Sequence, residues 1–247
     1  MSPEEIERYK RQIILKEIGG IGQQALGQAK VLIIGAGGLG GPCGLYLAAA
    51  GIGTLGIVDD DNVDLSNLHR QIQFGSNDID GLKTESMEHR LTQLNPNTTI
   101  MPHTLRLGEN NAASLITGYD LIIDGCDNFP TRFAVNKACL HLSIPLISGA
   151  LGRFDGQLAS FPSDGKSACY QCFVPQIPDN IESCAAVGVL GPMAGIIGSM
   201  MALEAIKIIT DAGEPLFGKL FLFDGLTSGA RTITLPRDPS CPACFRK

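Results

Sequence analysis

Four cysteines stand in two pairs, Cys169-x-x-Cys172 and Cys241-x-x-Cys244. A C-x-x-C spacing sets two thiolates on one side of a turn, and two such pairs complete a tetrahedral Zn²⁺ site. Four thiolates leave the metal no open position, so the expected role is structural: a clasp returning the C-terminal tail to the body of the chain. A redox pair or unliganded thiols is the alternative. A fifth cysteine, Cys184 in Glu182-Ser183-Cys184-Ala185-Ala186, follows a segment containing Pro175 and Pro178. That segment could be a mobile loop, and the plain reading of Cys184 is a small residue packing a helix start. Cys43, Cys126 and Cys139 lie in apolar context and are expected to be core thiols.

The second chemical signal is Gly35-Ala36-Gly37-Gly38-Leu39-Gly40, with the G-x-G-x-x-G spacing. Glycines there let the backbone approach a phosphate, and a following helix would supply free N–H groups and the positive end of its dipole. Asp59 falls at the distance of an acid that binds ribose hydroxyls. Alone, this pattern suggests a nicotinamide dehydrogenase. The residues that follow do not: Asp59-Asp60-Asp61 runs into Leu65-Ser66-Asn67-Leu68-His69-Arg70-Gln71, then Gly81-Leu82-Lys83. Arg70 and Lys83 could clamp a triphosphate, which carries more charge than a dinucleotide diphosphate. Asp124-Gly125-Cys126-Asp127-Asn128 would set Asp127 in the crevice outside a strand's carboxyl end, where it can hold Mg²⁺. Solvated charge for Arg70 and Lys83, and a helix cap for Asp127, are the plainer readings of each residue taken singly. The four histidines are scattered and suggest no Ser/His/Asp arrangement; His69 and His89 read as surface residues.

Positioning these groups requires strands that alternate with helices. Val31 to Ile34, Leu55 to Val58, Leu121 to Ile123 and Pro145 to Ser148 read as buried strands. Helices are expected over Pro3 to Leu15, in a short stretch between a Gly-rich loop (Gly19, Gly20, Gly22) and Lys30, and over Leu39 to Ala50, Leu82 to Leu94 and Thr131 to Leu142. In the first of these, Ile6, Ile13, Ile14 and Leu15 are available for burial. Gln157 to Phe161, Leu220 to Phe223 and Thr232 to Leu235 look like later strands adding antiparallel edges. The expectation is an α/β, Rossmann-like, doubly wound, mostly parallel sheet with added antiparallel strands and a zinc-tied tail. It is read as one domain over 1–247: N-terminal helices in 1–30, a nucleotide-binding core in 31–165, and a loop, helix, strands and zinc knuckle in 166–247.

Composition narrows the function further. The chain has 247 residues, with 44% hydrophobic and 18% charged, a balance that excludes disorder. The net charge of −6 argues against a general nucleic-acid binder. Val31 to Val58 and Ser183 to Leu203 lack charges, but glycines and prolines interrupt both, so no membrane span is expected. Gly195 and Gly198 instead suggest close helix packing, in a core or at a dimer seam. The chain opens on polar Met-Ser-Pro-Glu-Glu, and its eight cysteines are expected to be reduced thiols or metal ligands in a cytoplasmic protein.

Taken together, these residues resemble the ubiquitin-activating-enzyme-like superfamily, and within it the bacterial adenylyltransferases of sulfur-carrier proteins for molybdopterin and thiamine synthesis. The resemblance is carried by Arg8-Tyr9-x-Arg11-Gln12-Ile13, Gly35 to Gly40, Asp59-x-Asp61, Ser66-Asn67-Leu68-x-Arg70-Gln71, Lys83, Asp127-Asn128 and both cysteine pairs. It implies a homodimer that uses ATP and Mg²⁺ to adenylate the C-terminal Gly-Gly carboxylate of a ubiquitin-like carrier. It implies that Gly38 and Asp59 bind ATP, with Asn67, Arg70 and Lys83 on the phosphates. Gly35, Gly37, Gly40, Asp61, Ser66 and Asn128 belong to the same nucleotide-binding motifs. Asp127 matches a magnesium-binding aspartate, and Arg11 an arginine that reaches the ATP of the partner subunit. In the thiamine branch, a cysteine like Cys184 receives the carrier as an acyl persulfide; molybdopterin-branch members keep one without needing it. The sulfur donor is expected to be a separate protein. Competing readings are an ATP-dependent tRNA-base-modifying enzyme of the same superfamily and a non-catalytic activating-enzyme-like adaptor. Against the first stands the acidic balance; against the second, the presence of Arg11, Arg70, Lys83 and Asp127 together.

Overall fold

Val31-Leu32-Ile33-Ile34 shows no polar alternation because both faces of its strand are covered, and none of the four is more than 2% exposed. In the computed structural model, which describes residues 1–177 and 188–245, this run is the centre of β1 (Lys30–Ile34). The other strands are β2 (Thr54–Asp59), β3 (Thr99–Thr104), β4 (Leu121–Asp124), β5 (Leu146–Leu151), β6 (Asp155–Phe161), β7 (Lys219–Asp224) and β8 (Gly229–Thr234). They form one sheet in the order β3-β2-β1-β4-β5-β6-β7-β8. β1 to β5 pair in parallel, and β6, β7 and β8 join antiparallel. The direction of winding reverses between β1 and β4, which opens a crevice at their carboxyl ends.

Alternate residues of β1 serve two cores. Val31 and Ile33 pack with α2 (Gly19–Gln28), α3 (Gly40–Ala50), α4 (Lys83–Leu94) and α8 (Gly191–Thr210). Leu32 and Ile34 pack with α5 (Ala112–Ile116), α6 (Phe129–Leu142) and α7 (Tyr170–Phe173). α8 is long and apolar enough to cross a membrane by composition alone. Here it lies against α3, β5 and β6, with Gly198 so close to α3 that a Cβ would stand 2.6 Å from the Leu39 carbonyl oxygen. Gly195, its partner in the sequence pattern, has open space around it.

Three differences from the sequence reading have local causes. The first helix, α1 (Pro3–Ile13), ends before Leu15. It buries Tyr9, whose ring fits against Gly51 and whose hydroxyl accepts a 2.7 Å hydrogen bond from Asn95 Nδ2. Ile6, Ile14 and Leu15, read as available for burial, are 49%, 72% and 51% exposed, because α1 has its contact through Tyr9 and nothing among the described residues covers its apolar remainder. Gly19, Gly20 and Gly22 open α2 rather than forming a loop before it. Finally, β3 and α5 were not anticipated: β3 is mostly exposed and contains Pro102, which a sheet accepts only at an edge such as this one.

Candidate nucleotide site and cysteine cluster

The crevice at the β1/β4 reversal holds a cavity of about 590 Å³, within the range of small-molecule sites. β1 is followed by Gly35, whose φ of +90° turns the chain sharply; a Cβ there would lie 3.0 Å from the Gly125 carbonyl oxygen. At Gly40 a Cβ would overlap the carbonyl oxygen of Gly35, so the turn closes only with glycine at that place. Gly37 and Gly38 face the cavity. No side chain caps the start of α3, but Gly41 N donates to the Gly37 carbonyl oxygen at 3.0 Å and Pro42 has no N–H, so an anion would meet the glycine turn before the helix rather than the amides of its first turn. The Asp59 carboxylate braces the turn, accepting from Ala36 N at 2.7 Å and from Asp61 N at 2.9 Å. Burial nevertheless raises its pKa above the usual carboxylate value, against the pull of those amides and of Lys83.

The structure brings most of the anticipated side chains to this cavity. Asp59, Asp61, Arg70, Lys83, Asp127 and Asn128 line it with Gly35, Gly37 and Gly38. Lys83 is buried at the start of α4 and its ammonium lies 2.7 Å from the Asp61 carboxylate. Arg70 donates through Nη1 to the Ser66 carbonyl oxygen at 2.9 Å. Asp127 is exposed to the cavity, while Asn128 is the cap of α6, its Oδ1 accepting from Thr131 N at 3.0 Å. Ser66 and Asn67 lie in a single 3₁₀ turn before Arg70, outside the cavity wall; Asp64 N donates to Asn67 Oδ1 at 3.4 Å. Arg11 is exposed on α1, also away from the wall. Cys184 lies outside the described residues.

Residues that the sequence reading passed over complete the wall. Arg106 and Arg132 add two cations, and Gln71, 5% exposed, contributes a buried amide. Gln73 holds the glycine turn from behind, donating to the Ala36 carbonyl oxygen at 2.7 Å and to that of Gly37 at 3.2 Å. A second cavity, of about 680 Å³, lies along β5 to β8 and shares Ala150 and Leu151 with the first.

Across the sheet face carrying α6 and α7, Cys169, Cys172, Cys241 and Cys244 gather in one buried cluster. Their sulfurs lie 3.7 Å (Cys169–Cys241), 3.9 Å (Cys169–Cys172) and 3.5 Å (Cys172–Cys244) apart. Tetrahedral zinc with Zn–S bonds of about 2.3 Å requires sulfurs about 3.8 Å apart, so the four residues fit that ion. Burial, and then the neighbouring Cys172 sulfur, raise the pKa of Cys169 far above the ordinary thiol value. A divalent cation would remove that penalty. Cys43, Cys126 and Cys139 are buried core thiols, as anticipated, and burial raises all three of their pKa values.

Comparison with known proteins is consistent with this arrangement. The model of the ThiF family matches residues 9–243. A sulfur carrier protein adenylyltransferase from Thermus thermophilus is 42% identical, the match covering 98% of this chain and 91% of that protein. The probable adenylyltransferase/sulfurtransferase MoeZ of Mycobacterium tuberculosis is 45% identical over 98% of this chain but only 63% of MoeZ. The SAMP-activating enzyme E1 of Haloferax volcanii is 39% identical, covering 97% and 89%. The crystal structure of E. coli MccB with MccA-N7isoASN superposes with a TM-score of 0.87 at 23% identity, covering 100% of this chain and 76% of that one, a likeness of fold.

Proposed function

Because the chain belongs to the ThiF family, we propose that it is an ATP-dependent adenylyltransferase acting on the C-terminal glycine carboxylate of a ubiquitin-like sulfur carrier. The observation that carries this reading is the convergence of Arg70, Lys83 and Asp127 on the glycine turn in one cavity. A C-terminal carboxylate is already ionised at neutral pH, so its attack needs no general base. A carboxylate oxygen bonds to the α-phosphorus, the bond from that phosphorus to the bridging oxygen breaks, and pyrophosphate leaves with the electron pair. The products are an acyl-adenylate and pyrophosphate.

This chain's part is to neutralise charge and to hold the reactants in line. The glycine turn at Gly37 and Gly38 receives the phosphates, Asp59 and Asp61 face the ribose side, and Arg70 and Lys83 complete the phosphate clamp, with Asn67 holding the 3₁₀ turn that leads into Arg70. For Lys83 this means exchanging Asp61 for a phosphate oxygen. Asp127 offers the hard carboxylate oxygen that Mg²⁺ prefers, and its exposure to the cavity fits that ion. When bound, Mg²⁺ offsets the charge of the polyphosphate. The second cavity supplies a route for the carrier tail, since it meets the first at Ala150 and Leu151. The cysteine cluster holds structural Zn²⁺.

The working unit is a homodimer in the cytoplasm. Ile6, Ile14, Leu15 and Ile21 of the α1–α2 region and Leu203 of α8 stay exposed on helices that pack together, an apolar face suited to a second copy. Arg11, with no polar partner among the described residues, reaches the partner's nucleotide from that face.

Exchange of radiolabelled pyrophosphate into ATP tests the reading. Exchange that requires both Mg²⁺ and a Gly-Gly-ended carrier is the expected result. Exchange without carrier, or none with any ubiquitin-like carrier, would overturn it.

A further inference from the structure

Arg132 is 6% exposed, yet it borders the nucleotide cavity. Both terminal nitrogens of its guanidinium are engaged. Nη2 donates to the carbonyl oxygen of Cys126 and, at 2.9 Å, to that of Gly149. Nη1 donates to Ser148 Oγ at 2.9 Å and lies 3.7 Å from the Asp124 carboxylate. The ring of Tyr170 packs with its centroid 5.9 Å from the guanidinium carbon. Burial, the largest influence, would lower the pKa of Arg132, but Asp124, Cys126 and Tyr170 together outweigh it and raise the pKa above the ordinary guanidinium value.

We propose that Arg132 is a positioning residue for the metal–nucleotide site, acting through Asp127; the inference rests on the adenylation reading above. The Cys126 carbonyl belongs to the peptide bond that leads into Asp127, so the bond from Arg132 fixes the plane from which the Asp127 side chain departs. On its other side Asp127 is followed by Asn128, which is pinned as the cap of α6. Asp127 is therefore the exposed residue between two fastened neighbours. The same guanidinium holds the Gly149 carbonyl, one residue before Ala150, where the two cavities meet. One planar fork thus ties the loop bearing the acid to the strand past which the carboxylate must come. A buried guanidinium is costly to desolvate, and a staple for stability alone could be apolar. Lysine offers the charge without the fork.

Calorimetric binding of a non-hydrolysable ATP analogue to the full chain, with and without Mn²⁺, tests this without relying on turnover. In the parent, metal should strengthen analogue binding. In Arg132→Met that metal-dependent gain should fall by about 10- to 100-fold. Metal-free affinity should fall by less than the affinity in the presence of metal, and Arg132→Lys should recover only part of the gain. An undiminished gain in a folded Arg132→Met or Arg132→Lys chain overturns the proposal. So does an equal loss with and without metal, the mark of general destabilisation. Should both variants fail to fold, Ser148→Ala removes one partner of the fork and should lower the gain by about threefold; no change there overturns the proposal as well. If the parent itself binds no nucleotide, it is the adenylation reading that fails.

Discussion

The Lys83 ammonium lies 2.7 Å from the Asp61 carboxylate, with the lysine side chain 8% exposed and the aspartate 67% exposed. A buried cation held by an exposed anion can change partner at little cost, because the anion returns to water when it lets go. Lys83→Ala should lower carrier-dependent kcat/KM by at least about a hundredfold, as loss of a main charge-stabilising group does. Asp61→Asn, which keeps Lys83 free, should cost less. Equal losses in the two variants would mean that the pair acts as a unit rather than as a lysine in waiting.

Gly37 separates binding from folding. A Cβ there would meet only Gln71 Nε2, at 3.7 Å. Gly37→Ala should therefore leave stability unchanged or raise it by about 0.4–1 kcal/mol through the unfolded chain. It should still weaken nucleotide binding, because the methyl group occupies the approach of the phosphates. Thermal unfolding and nucleotide titration read the two effects separately, and unaltered affinity would count against the turn as the phosphate cradle.

Asp59 gives a pH signature whose sign is unusual for a carboxylate. Its pKa is raised in the fold by burial, so between the unfolded and folded values the native chain holds the extra proton. Below the unfolded pKa, about 3.9, the group contributes nothing; as pH rises through the folded pKa, it comes to disfavour the fold in full. The unfolding free energy of Asp59→Asn relative to the parent should therefore move in the variant's favour as pH rises from about 3 to 6. Movement in the opposite direction would show that the amides of Ala36 and Asp61 outweigh burial.

One Zn²⁺ per chain is expected in freshly purified, reduced protein, measured by elemental analysis. Cys241→Ser should lose the metal and lower the unfolding temperature, since binding free energy at such a site is folding free energy. Zinc-free protein with parental stability would refute the assignment.

Arg11 and Asp127 test the dimer together. Inactive Arg11→Ala and inactive Asp127→Ala chains, once exchanged into mixed dimers, should regain one good site of two, carrying Arg11 from one chain and Asp127 from the other. Mixed dimers that stay silent would place Arg11 within its own subunit.

What the sequence made legible was local. The apolar run Val31 to Ile34, the glycine turn and the acid closing β2 lie within about thirty residues of one another, and each has a residue-type signature. β3 was not legible because an edge strand may carry polar residues and Pro102 without penalty. Arg132 was hidden for a different reason. Two of its partners are main-chain carbonyls, brought from two segments by the sheet, and a carbonyl leaves no trace in residue identity. The outward face of α1 shows the same limit: helical spacing announces an apolar side but not what will cover it.

The cysteine cluster has a consequence for the C-terminal third of the chain. It joins positions 72 residues apart in sequence, with α8, β7 and β8 strung between them. A metal held by the four sulfurs would cross-link a span of that length and so remove about 4 kcal/mol of chain freedom from the unfolded state. α8 begins where Ala194 Cβ would stand 3.2 Å from a Cβ on Gly38, so the ceiling over the phosphate turn is strung on that tether. If the cluster holds a metal, its loss would slacken a noose whose far side rests on the nucleotide turn.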